Sequence, residues 1–326
     1  MSYVRGANGT AVEGTIERTA ASEGEIGGPA AESAEFVDLQ THTTASDGAL
    51  APALVVQAAH AASLFAIAIT DHDTIGGLAE ATEAGARLGV RIVLGVELST
   101  HFDDDELHLL GLNLIDLDSM GDALAHLREG RVRRAESIVR TLNRSGIPVT
   151  MEAVLLEAAG GAVGRPHIAR AMIAGGWVKE FRDAFDKWLG AGRAAYVPKS
   201  RFDVADGIAL VHRAGGLAVW AHPGESATDT RVQRLAACGL DGVEILHPGH
   251  PPYLSQRLLE TTERAGLLPS GGSDWHGTLE GARRLGGQLV PKIWLDWHDA
   301  RVELARAERA RSERAHLGES AATQEP

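Results

Sequence analysis

Phe36-Val-Asp-Leu-Gln-Thr-His42 is a short apolar run that ends in a metal-binding side chain, and the chain repeats this device six more times. The other runs are Phe65-Ala-Ile-Ala-Ile-Thr-Asp-His72, Arg91-Ile-Val-Leu-Gly-Val-Glu97, Leu107-His-Leu-Leu-Gly-Leu112, Leu217-Ala-Val-Trp-Ala-His222, Gly242-Val-Glu-Ile-Leu-His247 and Leu268-Pro-Ser-Gly-Gly-Ser-Asp-Trp-His276. Short, nearly continuous apolar runs read as strands buried on both faces. Six of them place His, Asp or Glu at or just past the C-terminal end, whereas the fourth places His108 near its start. Parallel-barrel enzymes carry their active sites at the C-terminal ends of the strands.

Working outward, residues 50–62 and 77–89 are helical in pattern and lie between the first three runs, which is βαβα order and predicts a parallel sheet. The alternation stops at Met120. From there to Ala195 apolar residues recur at helical spacing, as in Leu124, Leu127, Val132, Ala135, Ile138, Val139 and Leu142, and Gly146-Ile-Pro marks a stop. The βα pattern then resumes with helices over 204–213, 231–238 and 253–265 and strands over 217–221, 242–246 and 268–270. The expected organisation is a leader at 1–35, a first α/β part at 36–117, an inserted helical subdomain at 118–197, a second α/β part at 198–298 and a charged helical tail at 299–326.

The leader is rich in Gly, Ala, Ser, Thr and Glu and poor in large apolar residues, so it is expected to be disordered. The tail mixes Arg with Glu and is expected to be a solvated helix with intrahelical charge pairs. A formal charge of −13 argues against an extended nucleic-acid surface, though a single nucleotide or strand end could still reach a metal-lined cleft. The lone Cys238 excludes an intramolecular disulfide and reads as a small buried thiol. With no apolar signal core and no run long enough to span a bilayer, the expectation is a cytoplasmic protein without membrane contact.

One histidine at a strand end is usually a hydrogen-bonded structural residue. His42, Asp47, His72, Glu97, His108, His222, Asp274 and His276 together, drawn from nearly every run, predict a metal cluster on one rim. Mixed imidazole and carboxylate donors suit Mn²⁺, Fe²⁺ or Zn²⁺ better than Ca²⁺ or Mg²⁺. Asp73 reads as a residue that orients a ligand or caps a helix, and Asp103-Asp-Asp-Glu106 as a solvated turn.

The motifs Asp38-Leu-Gln-Thr-His42-Thr-Thr-Ala-Ser-Asp47-Gly, Ile69-Thr-Asp-His72-Asp-Thr, Gly95-Val-Glu97-Leu-Ser, His108-Leu-Leu-Gly, Ala221-His222-Pro-Gly and Gly272-Ser-Asp274-Trp-His276-Gly resemble those of the PHP (polymerase and histidinol phosphatase) superfamily. Gly164-Arg-Pro-His167, Tyr196-Val-Pro-Lys199 and Glu244-Ile-Leu-His-Pro248 resemble its stand-alone branch of nucleotide phosphatases and 5′-3′ exoribonucleases. The resemblance implies a distorted (βα)7 TIM-like barrel and two or three divalent ions, manganese first and iron or zinc next. It implies phosphoester hydrolysis of a small nucleotide or short oligonucleotide by attack of a metal-bridging hydroxide. It also assigns one ion to His42, Glu97 and Asp274, a second to Glu97, His108 and His222, and a third to Asp47, His72 and His276. Arg165 and His167 are expected to clamp phosphate or protonate the leaving group, with Lys199 as a further substrate contact and His247 as either a substrate contact or a noncatalytic residue behind the ligands. Gln40 stands where the family has a histidine, so the first ion is expected to be held weakly or not at all. The alternatives are a histidinol-phosphate-type phosphatase, or a degenerate domain that binds metal or nucleotide without turnover.

Overall fold

The computed structural model describes residues 35–198, 201–277 and 283–322. The leader, apart from Glu35, and Lys199 lie outside these residues. The chain starts with β1 (Phe36–Thr41), α1 (Pro52–Ala61), β2 (Ala66–Ile69), α2 (Leu78–Leu88) and β3 (Arg91–Leu94), in the expected alternation. β4 (Val96–Phe102) and β5 (Asp105–Leu112) follow as a hairpin. The helices α3 (Leu117–Arg144), α4 (Met151–Ala158), α5 (Arg165–Ala174) and α6 (Phe181–Ala184) come next, ending in a π-helical turn at Phe185–Leu189. Alternation returns with α7 (Val204–Arg213), β6 (Leu217–Trp220), α8 (Asp229–Ala237), β7 (Gly242–Leu246), α9 (Pro252–Arg264) and β8 (Leu268–Gly271), before β9 (Val290–Pro291) and α10 (Lys292–Ala322).

The strands form two sheets, in the orders β3-β2-β1-β9 and β4-β5-β6-β7-β8. The expected wholly parallel arrangement fails at β5, which runs antiparallel to both β4 and β6. That reversal explains the odd position of His108. On an antiparallel strand the start, rather than the end, lies at the rim where its neighbours finish, and the His108 carbonyl accepts from Ala221 N at 3.0 Å, one residue before His222. The run expected to end at Glu97 is instead broken at Gly95, which separates β3 from β4. A Cβ at Gly95 would lie 3.0 Å from the carbonyl oxygens of both Gly111 and Ile69, so glycine permits the close passage there.

Side-chain parity on β2 shows how the layers separate. Ala66 and Ala68 pack with Val37, Leu39, Val93, Leu110, Val219 and Leu295, a cluster drawn from both sheets, whereas Ile67 and Ile69 face α1 and α2 through Val55, Val56, Ala81 and Ala84. Small residues inside and branched ones under the helices suit strands buried on both faces. The helical stretch after Met120 builds a cluster of its own, in which Ala135, Ile138, Val139 and Leu142 of α3 pack on Val154, Ile168 and Met172.

Two expectations fail on packing. Cys238 is exposed at the end of α8, because the buried face of that helix is set by Val232 and Leu235. The tail helix is docked along one face of its first half rather than solvated all round. Asp299 takes both guanidinium nitrogens of Arg91 at 2.6 Å and the Asn113 amide at 2.7 Å, and Arg306 donates to the Asn113 carbonyl. Val302 is buried and His298 fully so, its ring bonded to the Pro269 carbonyl. The acidic hairpin turn is exposed as expected, with Asp103 paired to Arg234 and Asp105 to Arg231.

The two sheets meet where β8 ends beside β1. Asp274 N donates to the Gln40 carbonyl at 3.0 Å and His42 N to the Trp275 carbonyl at 2.9 Å. Close approach requires glycine, since a Cβ on Gly272 would come within 2.5 Å of Gln40 N. Gly272→Ala is therefore expected to overpack this seam and lower stability by about 1–3 kcal/mol, measured by denaturant unfolding; an unchanged midpoint would show that the seam gives way freely.

Candidate metal centre

The site begins with the loop after β1. Asp71, at the end of the β2 run, accepts from Thr43 N and Oγ1 at 2.7 Å and from Ser46 Oγ at 2.6 Å, which fixes the turn that presents Asp47. The opposite join between the sheets is made by ligand-bearing residues as well. Glu97 N donates to the Asp71 carbonyl at 3.2 Å, and Asp73 N to the Glu97 carbonyl at 2.9 Å, across the bridge between His72 and Glu97. The Asp73 carboxylate accepts from Ser99 N at 2.9 Å and from Arg131 Nε at 2.5 Å, tying α3 to the rim.

Glu97 is the centre of the cluster and is wholly buried. Its Oε1 lies 2.6 Å from His108 Nδ1 and 3.1 Å from His222 Nε2, while its Oε2 lies 3.1 Å from His42 Nε2 and from the Gln40 amide nitrogen. His42 Nε2 is also 3.1 Å from Asp274 Oδ1, and His276 Nε2 is 3.4 Å from Asp47 Oδ1. All eight sequence-predicted ligands therefore converge on one place.

Among the described residues, three groupings bring donor atoms within 4.8 Å of one another: His42, Glu97 and Asp274; His42, Asp47, His72 and His276; and His72, Glu97 and His108. The first matches the expected set. The second contains the expected Asp47, His72 and His276 and adds His42, whereas the third takes His72 in place of His222, although His222 still faces Glu97.

The donor chemistry fits divalent ions. His42 Nδ1 and Nε2 and His72 Nδ1 are inaccessible to solvent and make no hydrogen bond, short as the His42 distances to carboxylates are. Buried nitrogens without a partner are costly unless something else binds them. Burial drives His72 down to about 3, against the pull of Glu97 and Asp47, so its imidazole is neutral and ready to ligate. Burial also pushes on His42, but Asp274 and Glu97 outweigh it and hold its pKa well above the ordinary histidine value. Glu97 and Asp274 stay ionised for the matching reason: the imidazoles around them overcome burial and lower their pKa values.

Several supporting residues carried no role in the sequence reading. Buried Asp38, raised to about 6 by burial, accepts from Ser273 N and Gly286 N at 2.8 Å. Glu244, also buried, accepts from His222 N at 2.6 Å and so holds that residue at φ +31°. Arg283 pairs with Asp274 at 2.8 Å. A signal existed for the first two, since a carboxylate inside an apolar run needs a polar partner; Arg283 had none.

The substrate candidates divide. Arg165 lines a cleft of about 560 Å³ together with His108, His222, Trp220 and Arg231. His167 is buried, its Nδ1 accepting from Gly164 N at 2.9 Å and its ring bonded to the Ser46 backbone beside Asp47. His247 is buried too, with Nδ1 accepting from Gly249 N and Nε2 lying 3.5 Å from Asp274 Oδ2. His250 backs it, bonded to the Ile245 carbonyl. His212 pairs with Asp241 away from these residues.

Asp274 and Glu97 raise the His42 pKa and so favour its proton, and loading is expected to displace it. Titration of metal-stripped protein with Mn²⁺ at pH 7 in buffers of different ionisation enthalpy is expected to show net proton release. No proton exchange would contradict the electrostatics given for His42.

Comparison with known proteins matches this architecture. Residues 38–194 match the PHP domain model. The chain is 34% identical to the 3′,5′-nucleoside bisphosphate phosphatase of Chromobacterium violaceum, over 83% of this chain and 98% of the relative. It is 36% identical to the 5′-3′ exoribonuclease Rnm of Escherichia coli, over 80% of this chain and 90% of that one. A solved structure from Bifidobacterium adolescentis, whose name assigns it to the metal-dependent phosphoesterases, superposes with a TM-score of 0.76 at 34% identity, covering 82% of this chain and 96% of its own. Strand-end ligands, the buried carboxylate that gathers them and these likenesses together place the chain in the PHP family.

Proposed function

We propose that the chain is a metal-dependent phosphoesterase that hydrolyses phosphate esters of small nucleotides, such as 3′,5′-bisphosphonucleotides, or trims the 5′ ends of short RNA. The observation that carries this reading is the gathering of seven further imidazole and carboxylate side chains around Glu97 at the mouth of a cleft whose wall holds Arg165. The two stitched sheets are read as a distorted (βα)7 TIM-like barrel, with residues 118–197 as its helical insert. Among the described residues no helix is long and apolar enough to cross a membrane.

Two or three ions are assigned, manganese first and iron or zinc next, because the donors mix imidazole with carboxylate. Such ions supply an activated water and neutralise charge on the phosphoryl oxygens. The protein's own groups do the positioning. Glu97 offers its two oxygens to different sides of the cluster, His108 and His222 on one and His42 on the other. Arg165 contacts substrate phosphate, and Lys199 is proposed as a second cation for it. His167 is assigned a different part from the one its motif implied. With its ring engaged by Gly164 and Ser46, it braces the Asp47 loop rather than meeting a leaving group. His247 is assigned to orienting Asp274, since its ring is turned to that carboxylate.

Purified protein loaded with Mn²⁺ is expected to release phosphate from 3′,5′-bisphosphonucleotides or mononucleotides from short 5′-phosphorylated RNA, and chelation should abolish both. A fully loaded sample inert to these and to aryl phosphates would sink the proposal.

Gln40 favours a second reading, metal binding without turnover, because its amide already donates to Glu97 Oε2 and its own oxygen is buried without a partner. Replacing this amide by imidazole removes a competitor and adds a ligand. Gln40→His is expected to raise metal content per chain toward one further ion and to tighten binding, read by elemental analysis and titration. Unchanged stoichiometry and affinity would remove Gln40 as the weak position.

A further inference from the structure

The reversal of β5 changes what stands next to its ligand. On a strand that ends at the rim, the side chain two residues before a ligand lies within the sheet layer, as Gln40 does before His42, and Gln40 is wholly buried. On β5, which begins at the rim, the corresponding side chain lies outside. Glu106 shares a strand face with His108, lines the same cleft of about 560 Å³ and keeps 30% of its side-chain surface exposed. The hairpin holds both in register, with Ser99 of β4 opposite His108 and His101 opposite Glu106.

The His108 ring therefore lies between two carboxylates. Its Nδ1 is 2.6 Å from Glu97 Oε1, at the centre of the cluster, and its Nε2 is 3.1 Å from Glu106 Oε1 on the cleft side. A neutral imidazole has one N–H and one lone pair. With the proton on Nδ1, the N–H would be spent on Glu97 and the Nε2 lone pair would face a second carboxylate, which repels it. With the proton on Nε2, that nitrogen donates to Glu106, and the Nδ1 lone pair is directed to the same place as Glu97 Oε1, as two ligands of one ion are. A hydrogen bond at the far nitrogen of a ligating histidine sets its tautomer and ring orientation and strengthens it as a donor. His276 has such a bond to a backbone carbonyl, its Nδ1 lying 2.8 Å from Asp274 O while Nε2 faces Asp47. At His108 the outer partner is a carboxylate.

We propose that Glu106 is a positioning residue for the metal centre, holding the His108 proton on Nε2 so that Nδ1 is free to ligate the ion shared with Glu97. It acts through His108 rather than as a ligand itself. This rests on His108 being a ligand, as the metal reading above assigns, and requires no turnover.

The test is titration of metal-free protein with Mn²⁺ against a chromophoric chelator, in the wild type, Glu106→Gln, Glu106→Ala, His108→Ala and the double alanine variant. Glu106→Ala is expected to weaken one Mn²⁺ step about 10- to 100-fold, the usual effect of removing such an outer partner, and to leave the other steps in place. Glu106→Gln should fall between, because its amide oxygen still accepts but carries no charge, and it serves alone if Glu106→Ala does not fold. In the His108→Ala background the Glu106 change should add nothing, since the residue it acts through is gone. An effect of equal size in both backgrounds, or unchanged affinity in the Glu106 variants, overturns the proposal. Denaturant unfolding of the metal-free Glu106 variants is expected to keep the wild-type midpoint, and a loss of affinity that merely follows a lowered midpoint overturns it too. If His108→Ala leaves every Mn²⁺ step intact, the ligand assignment falls together with the proposal. If His108→Ala removes a step that the Glu106 variants do not touch, the assignment stands and the proposal alone is overturned.

Discussion

A carboxylate cannot be buried in a protein interior without compensation, and Glu97 is buried completely. Everything around it follows from satisfying that one group. Gln40 comes from β1 and His42 from the residue that follows it, His108 from β5 and His222 from the loop after β6, and each lies within 3.1 Å of a Glu97 oxygen. Three segments are thus required to meet Glu97 at one point, which fixes the register of their strands. The glycine break before Val96 serves the same end, because it lets the chain leave one sheet and deliver Glu97 to the other.

The clustering of the candidate ligands was legible in the sequence because most of them follow a run too apolar to be anything but buried strand, so that a polar terminus stands out. The helix from Val204 to Arg213 and the strand from Gly242 to Leu246 were legible for the same reason, their periodicities being clean and their ends marked by turn residues. The direction of β5 was not. A strand carries no mark of its orientation, and only the misplaced His108 hinted at reversal. The exposure of Cys238 and the docking of α10 were hidden as well, since they depend on which neighbour each helix face meets rather than on local composition.

Positioning carboxylates were overlooked for a different reason. Asp71 stands beside a ligand and Glu244 inside a strand, and both bond backbone or hydroxyl groups instead of facing the cleft. Sequence reading ranks residues by the chemistry they could perform, so groups that only hold others in place fall below its notice. His167 is the converse, a residue with catalytic chemistry whose Nδ1 is taken up by the Gly164 backbone.

The ligand-bearing segments are also the stitches between the two sheets, at His42 with Trp275 on one side and at His72 with Glu97 on the other. An ion held across such stitches behaves as a clasp. It binds only the closed arrangement, so its binding energy adds to the cohesion of the sheets themselves. Resistance to heat and to proteolysis should then track the metal supply of the surroundings, and starvation for metal would cost the cell the protein as well as its turnover.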